Sequence, residues 1–119
     1  MFMRIISLVL RVCGVLALIL GLLFWAGYAN NLVPIHMLLG LLVVLSLWGI
    51  AIDQALSKGN WRNATGAFVT GVVVLLIGIT QRSILPGSLH WLIQAIHLVL
   101  GLLALAVGES VGKAKRIGA

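Results

Sequence analysis

Four long apolar runs, at about 12–28, 33–56, 64–80 and 87–107, occupy most of this 119-residue chain and leave little over for a soluble domain. A helix that crosses the hydrocarbon core of a bilayer needs about 20 mostly apolar residues, and each run is near that length. Backbone polar groups in lipid must be satisfied internally, so runs of this kind predict helices rather than strands. Hydrophobic residues make up 62% of the sequence and charged residues 8%, more apolar surface than a soluble domain of this size can bury. The expected fold class is therefore all-α integral membrane, a four-transmembrane-helix bundle in one domain, with short connections that make neighbours antiparallel.

The net charge of +6 would suggest nucleic acid in a soluble chain, but here the basic residues sort by side, and no nucleic-acid partner is expected. Arg4 and Arg11 precede the first apolar run, Lys58 and Arg62 fall in the second loop, and Lys113, Lys115 and Arg116 follow the fourth run. The first loop carries no charge and the third only Arg82. The positive-inside rule then places both termini in the cytoplasm, with a bacterial or archaeal inner membrane as the expected setting. The first run is read as a helix rather than a signal peptide, because it is long and no small-residue cleavage pattern follows Tyr28. Pro34 and Pro86-Gly87-Ser88 mark the starts of the second and fourth helices. Trp25, Tyr28 and Trp91 are belt residues on the outer side, and Trp61 on the inner. The single cysteine, Cys13, is read as a small packing residue. Asn63-Ala64-Thr65 has the form of a glycosylation acceptor but faces the cytoplasm in this topology, so it is read as a chance match.

Two stretches read nearly alike. Ile35-His36-Met37-Leu38-Leu39-Gly40-Leu41-Leu42 and Ile96-His97-Leu98-Val99-Leu100-Gly101-Leu102-Leu103 agree at six of eight positions, and each puts a histidine inside an apolar helix. Upstream, Cys13-Gly14 and Gly21 match Thr70-Gly71 and Gly78, with the same glycine spacing of seven. The chain thus reads as two tandem helix pairs, helices 1 and 2 being repeated in helices 3 and 4.

A histidine within a membrane segment is costly and marks a candidate functional site. The alternative is interhelical hydrogen bonding, which many polar residue types can supply. Repetition of the same residue in the same context favours a ligand role, since a metal needs imidazole where a polar contact does not. Zinc normally takes four protein ligands, and the only acidic residues, Asp53 and Glu109, lie near the cytoplasmic helix ends. Haem iron needs two axial ligands from protein, and histidine is a standard one. A flat macrocycle also needs gaps between helices. Gly14, Gly21, Gly71 and Gly78 supply repeated gaps on the first and third helices, with Gly40 and Gly101 one turn beyond each histidine.

In these residues the chain resembles the four-helix haem core of the membrane b-type cytochromes. In that family the second and fourth helices carry the histidine ligands and glycines on the first and third let the porphyrin approach. The resemblance implies a b-type haem (haem b) held by His36 and His97, and one haem rather than two, because the second helix has a single histidine. Register leaves an alternative open. Counted back from Lys58 and Lys113, His36 lies 22 residues away, His90 23 and His97 16, so depth pairs His36 with His90 whereas the repeat pairs it with His97. His97 is preferred, and His90 is then available to a propionate, a quinone or water. Arg82 could pair with a haem propionate or act as a helix-end arginine. Asp53 and Glu109 are expected to pair with Arg62 or Lys113.

The function expected is one-electron transfer, with quinol or as a small subunit of a membrane redox complex; whether the chain alone is an enzyme is left open. Expected partners are the lipid membrane, a quinone, and other membrane subunits or further copies of the chain. The rivals are a non-enzymatic accessory or assembly subunit, a small transport protein and a pigment-binding protein.

Overall fold

The computed structural model describes residues 2–58, 61–80, 83 and 87–118. Among them the chain forms four long helices and no strand: α1 (Phe2–Trp25), α2 (Val33–Asp53), α3 (Trp61–Thr80) and α4 (His90–Gly118). All four are long and apolar enough to cross a membrane, with mean hydropathy from 1.8 to 2.6 over their most apolar stretches. The protein is a multi-pass four-helix bundle, about 47 Å along its long axis. Only 17 to 33% of each membrane-length stretch is buried inside the bundle, so most of the apolar surface faces outward, where lipid solvates it.

Two helix bounds differ from the apolar runs for physical reasons. α1 starts at Phe2, so Arg4 and Arg11 lie within it rather than before it. A bidentate ion pair to Glu109 on α4, with Nε to Oε1 at 2.8 Å and Nη2 to Oε2 at 3.0 Å, satisfies Arg11 there. Glu109 thus accepts from Arg11, a partner that the sequence reading did not name. α4 runs on through Lys113 to Gly118, so that lysine marks no helix end.

The first connection is closed locally. The Gly27 N–H donates to Phe24 O at 3.0 Å and the Tyr28 N–H to Leu23 O at 2.8 Å, with Gly27 at φ 90°. This is the paired closure that a left-handed glycine allows at a helix end, and it stops α1 at Trp25. A 3₁₀ turn (Asn30–Leu32) leads into α2, whose first turn holds Pro34. A π-helical turn (Gln54–Lys58) follows α2, and a 3₁₀ turn (Gly87–Leu89) precedes α4.

Each helix packs on its neighbours in a ring, α1 on α2, α2 on α3, α3 on α4 and α4 back on α1, while α2 and α4 also approach across the diagonal. The main core joins Met3, Leu10, Val43, Val44, Leu47, Ile50, Val74, Ala104 and Val111. A smaller cluster of Ala51, Ala64 and Ala67 lets α2 and α3 come close. Both clusters lie in the half of the bundle that holds the N-termini of α1 and α3. Beyond these clusters the buried apolar side chains among the described residues are Ala17 and Ile93, toward the other end. The bundle is thus tightly filled at one end and loosely at the other, and the histidines lie in the loose half.

Candidate functional site: a histidine pair across the bundle

His36 sits in the first turn of α2, and His97 in the third turn of α4. Their inward stripes continue through Gly40, Val43, Val44 and Leu47 on α2, and through Gly101, Ala104 and Gly108 on α4. The i, i+4 and i, i+7 spacing turns both imidazoles toward the bundle axis. Their ring centroids are 6.3 Å apart with planes at 73°.

The helices behind each ring are shaped for it in the same way. A methyl group on Gly21 of α1 would stand 3.4 Å from Cε1 of His36, and one on Gly78 of α3 would stand 3.3 Å from Cε1 of His97. Each glycine therefore backs one imidazole. Phe24, one turn along α1 from Gly21, meets His36 edge-on at 5.3 Å. The backbone of Ala17 lies within hydrogen-bonding reach of the same imidazole. Nδ1 of His36 and Nδ1 of His97 are both buried with no hydrogen-bond partner.

The register conflict is settled by helix length. α2 begins three residues before His36, whereas α4 begins seven residues before His97. The extra turn of α4 carries His90 at its start, about 10 Å along the axis from His97. The structure accordingly brings His97, not His90, against His36. Arg82 lies outside the described residues.

The remaining glycines divide by what faces them. At Gly14 an added methyl would run into the Leu105 side chain, and at Gly71 it would stand 2.6 Å from Nε1 of Trp48. Those two notches are filled by the protein itself. At Gly40 and Gly101 it would meet nothing within 4 Å. Both lie one turn from the histidines and are partly exposed, so the space beside them is open.

The donor set can be tested against the cofactor that the sequence resemblance implies. Metal–nitrogen bonds of about 2 Å and roughly 1.1 Å from ring centre to nitrogen place two imidazoles on opposite sides of one metal at about 6 Å between centroids. The observed separation, 6.3 Å in an edge-to-face contact, is of that size. A ligating histidine also characteristically gives its other ring nitrogen to a backbone carbonyl, and the Ala17 backbone is close enough to His36 to serve. Among the described residues no cluster of three or more histidine, cysteine or acidic side chains could hold a metal ion, so a closed protein-only site is not formed there. Two facing imidazoles with open space beside Gly40 and Gly101 fit a planar macrocycle that supplies its remaining metal ligands itself. Gly21 and Gly78 back the two imidazoles and Gly40 and Gly101 face open space, whereas Gly14 and Gly71 face Leu105 and Trp48 of neighbouring helices.

Sequence reasoning missed Phe24, Trp48 and Leu105. Phe24 follows Gly21 by three residues and so shares its face. Trp48 carried a signal too, since an indole N–H within lipid needs an acceptor, which here is Phe68 O at 3.2 Å.

Comparison of the chain with known protein families, curated proteins and solved structures finds no match.

Proposed function

We propose that this protein is a membrane b-type haem protein that carries single electrons, with His36 and His97 as the residues that would hold the haem. The observation that carries the proposal is the pair of half-buried imidazoles on the diagonal helices, 6.3 Å apart, each with a buried, unpartnered Nδ1. Two histidines acting only as interhelical polar contacts would be expected to hydrogen-bond, and leaving a buried ring nitrogen unpaired costs about 1–3 kcal/mol. A ligand that takes up both nitrogens removes that cost.

When bound, haem supplies one-electron oxidation and reduction. The residues of the chain set how it does so. His36 and His97 would hold the metal from two helices, with the Ala17 backbone beside the His36 ring and Phe24 restricting that ring from the side. Gly21 and Gly78 let both rings sit close to the neighbouring helices, and the surrounding apolar helices limit access of water. The exchange partner is a quinol or an adjoining membrane redox subunit, with His90 at the start of α4 on the histidine side of the bundle. The setting is a bacterial or archaeal inner membrane with both termini in the cytoplasm.

The test is reconstitution of the purified chain with haem, followed by absorption spectra of the oxidised and reduced forms. One haem per chain with a low-spin spectrum supports the proposal. A chain that takes up no haem, with helical content intact, refutes it.

A further inference from the structure

At the opposite end of the bundle α3 and α4 leave a groove of about 340 Å³. Its polar wall is Arg62, Asn63 and Ser110, and Gly66, Ala106 and Val107 supply much of its apolar wall. We propose that this groove binds one anionic phospholipid, its phosphate on Arg62 and Ser110 and an acyl chain along Gly66 and Ala106. The proposal is independent of the haem reading.

Three features select an anionic lipid over other occupants. First, Arg62 is the second residue of α3, where the helix dipole disfavours a cation and favours an anion, and the first turn of α3 contains no acidic residue. An anion beside Arg62 at that helix end reverses an unfavourable placement. Second, no carboxylate lines the groove. Glu109, the neighbour of Ser110, directs both oxygens to Arg11 on α1, on another side of α4. Third, Trp61 is two-thirds exposed beside Arg62, which sets this level at the headgroup region, and the groove continues from there onto apolar helix surface. A free inorganic anion would use the cation and leave the apolar wall without a partner. A phospholipid uses both. The sequence also places Lys58, Lys113, Lys115 and Arg116 at this end, which raises the local concentration of anionic lipid.

The experiment is native mass spectrometry of the full chain with equal amounts of phosphatidylglycerol and phosphatidylcholine, with and without inorganic phosphate. The unaltered protein should retain one phosphatidylglycerol in preference to phosphatidylcholine, and phosphate should not displace it. One basic side chain at an anionic surface is worth about a fivefold change in occupancy, so Arg62→Gln should lower the preference by about that factor. Arg4→Gln, an exposed cation at the same end of α1, should leave it unchanged. A methyl group on Gly66 would meet nothing within 4 Å, so Gly66→Leu should occupy the groove and reduce retention of either lipid. If Gly66→Leu fails to fold, Arg62→Gln decides alone. An unchanged preference in Arg62→Gln, an equal loss in Arg4→Gln, or displacement of the lipid by phosphate would each overturn the assignment.

Discussion

Replacing Gly71 by alanine tests whether the glycines really fall into two mechanical classes. A methyl group there would stand 2.6 Å from Nε1 and 3.1 Å from Cδ1 of Trp48. The indole cannot turn aside freely, because Nε1 donates to Phe68 O at 3.2 Å and the ring lies 5.6 Å from that of Phe68. Overpacking of this kind costs about 1–3 kcal/mol, and losing the indole hydrogen bond adds about 1 kcal/mol. Alanine's helix preference returns at most about 1 kcal/mol. The net expectation is a loss of about 1–3 kcal/mol. Gly40→Ala, where a methyl group meets nothing within 4 Å, should be neutral or slightly stabilising in the haem-free protein. Reversible unfolding in mixed micelles, followed by helical circular dichroism, would measure both. Adding Trp48→Leu to Gly71→Ala should remove most of the penalty, giving a coupling of about 1 kcal/mol or more in a double-mutant cycle. Equal stabilities for Gly71→Ala and Gly40→Ala, or strictly additive effects with Trp48→Leu, would refute the reasoning.

Other consequences follow from the same geometry. His36→Ala and His97→Ala should each lose haem or bind it in a five-coordinate form, whereas His90→Ala should keep the low-spin spectrum; optical titration of the three variants checks this. Gly40→Leu and Gly101→Leu should exclude haem while the helices stay folded, read as haem occupancy against helical content. Glu109→Arg should loosen the α1–α4 seam and Arg11→Glu should do the same, with the exchanged pair restoring thermal stability toward that of the unaltered chain. Cysteines placed at Asn30 and Lys115 should react with an impermeant label from outside and inside the cell respectively; labelling of Lys115 from outside would reverse the topology.

The helices were legible because lipid permits few alternatives: an apolar run of membrane length has to satisfy its own backbone, so length and composition were enough. The ends were less legible. Arg11 reads as a boundary in isolation, and only its pairing with Glu109, 98 positions later, lets α1 continue through it. His36 and His97 stood out through their shared context, but choosing between His97 and His90 depended on the extra turn of α4, which residue counts from Lys113 cannot reveal because the helix continues past that lysine. The glycines were the least legible. Gly14 and Gly21 share a face by spacing, yet one meets Leu105 and the other His36, a distinction that depends on which neighbouring helix each faces.

The central claim is that the two imidazoles share one haem iron. The most direct measurement is the absorption spectrum of the unaltered chain, gently purified from haem-replete cells, with haem quantified per chain. The account predicts a Soret band, a low-spin oxidised spectrum and one haem per protein. A folded, helical chain with no Soret band, and none after haem is added, would contradict it.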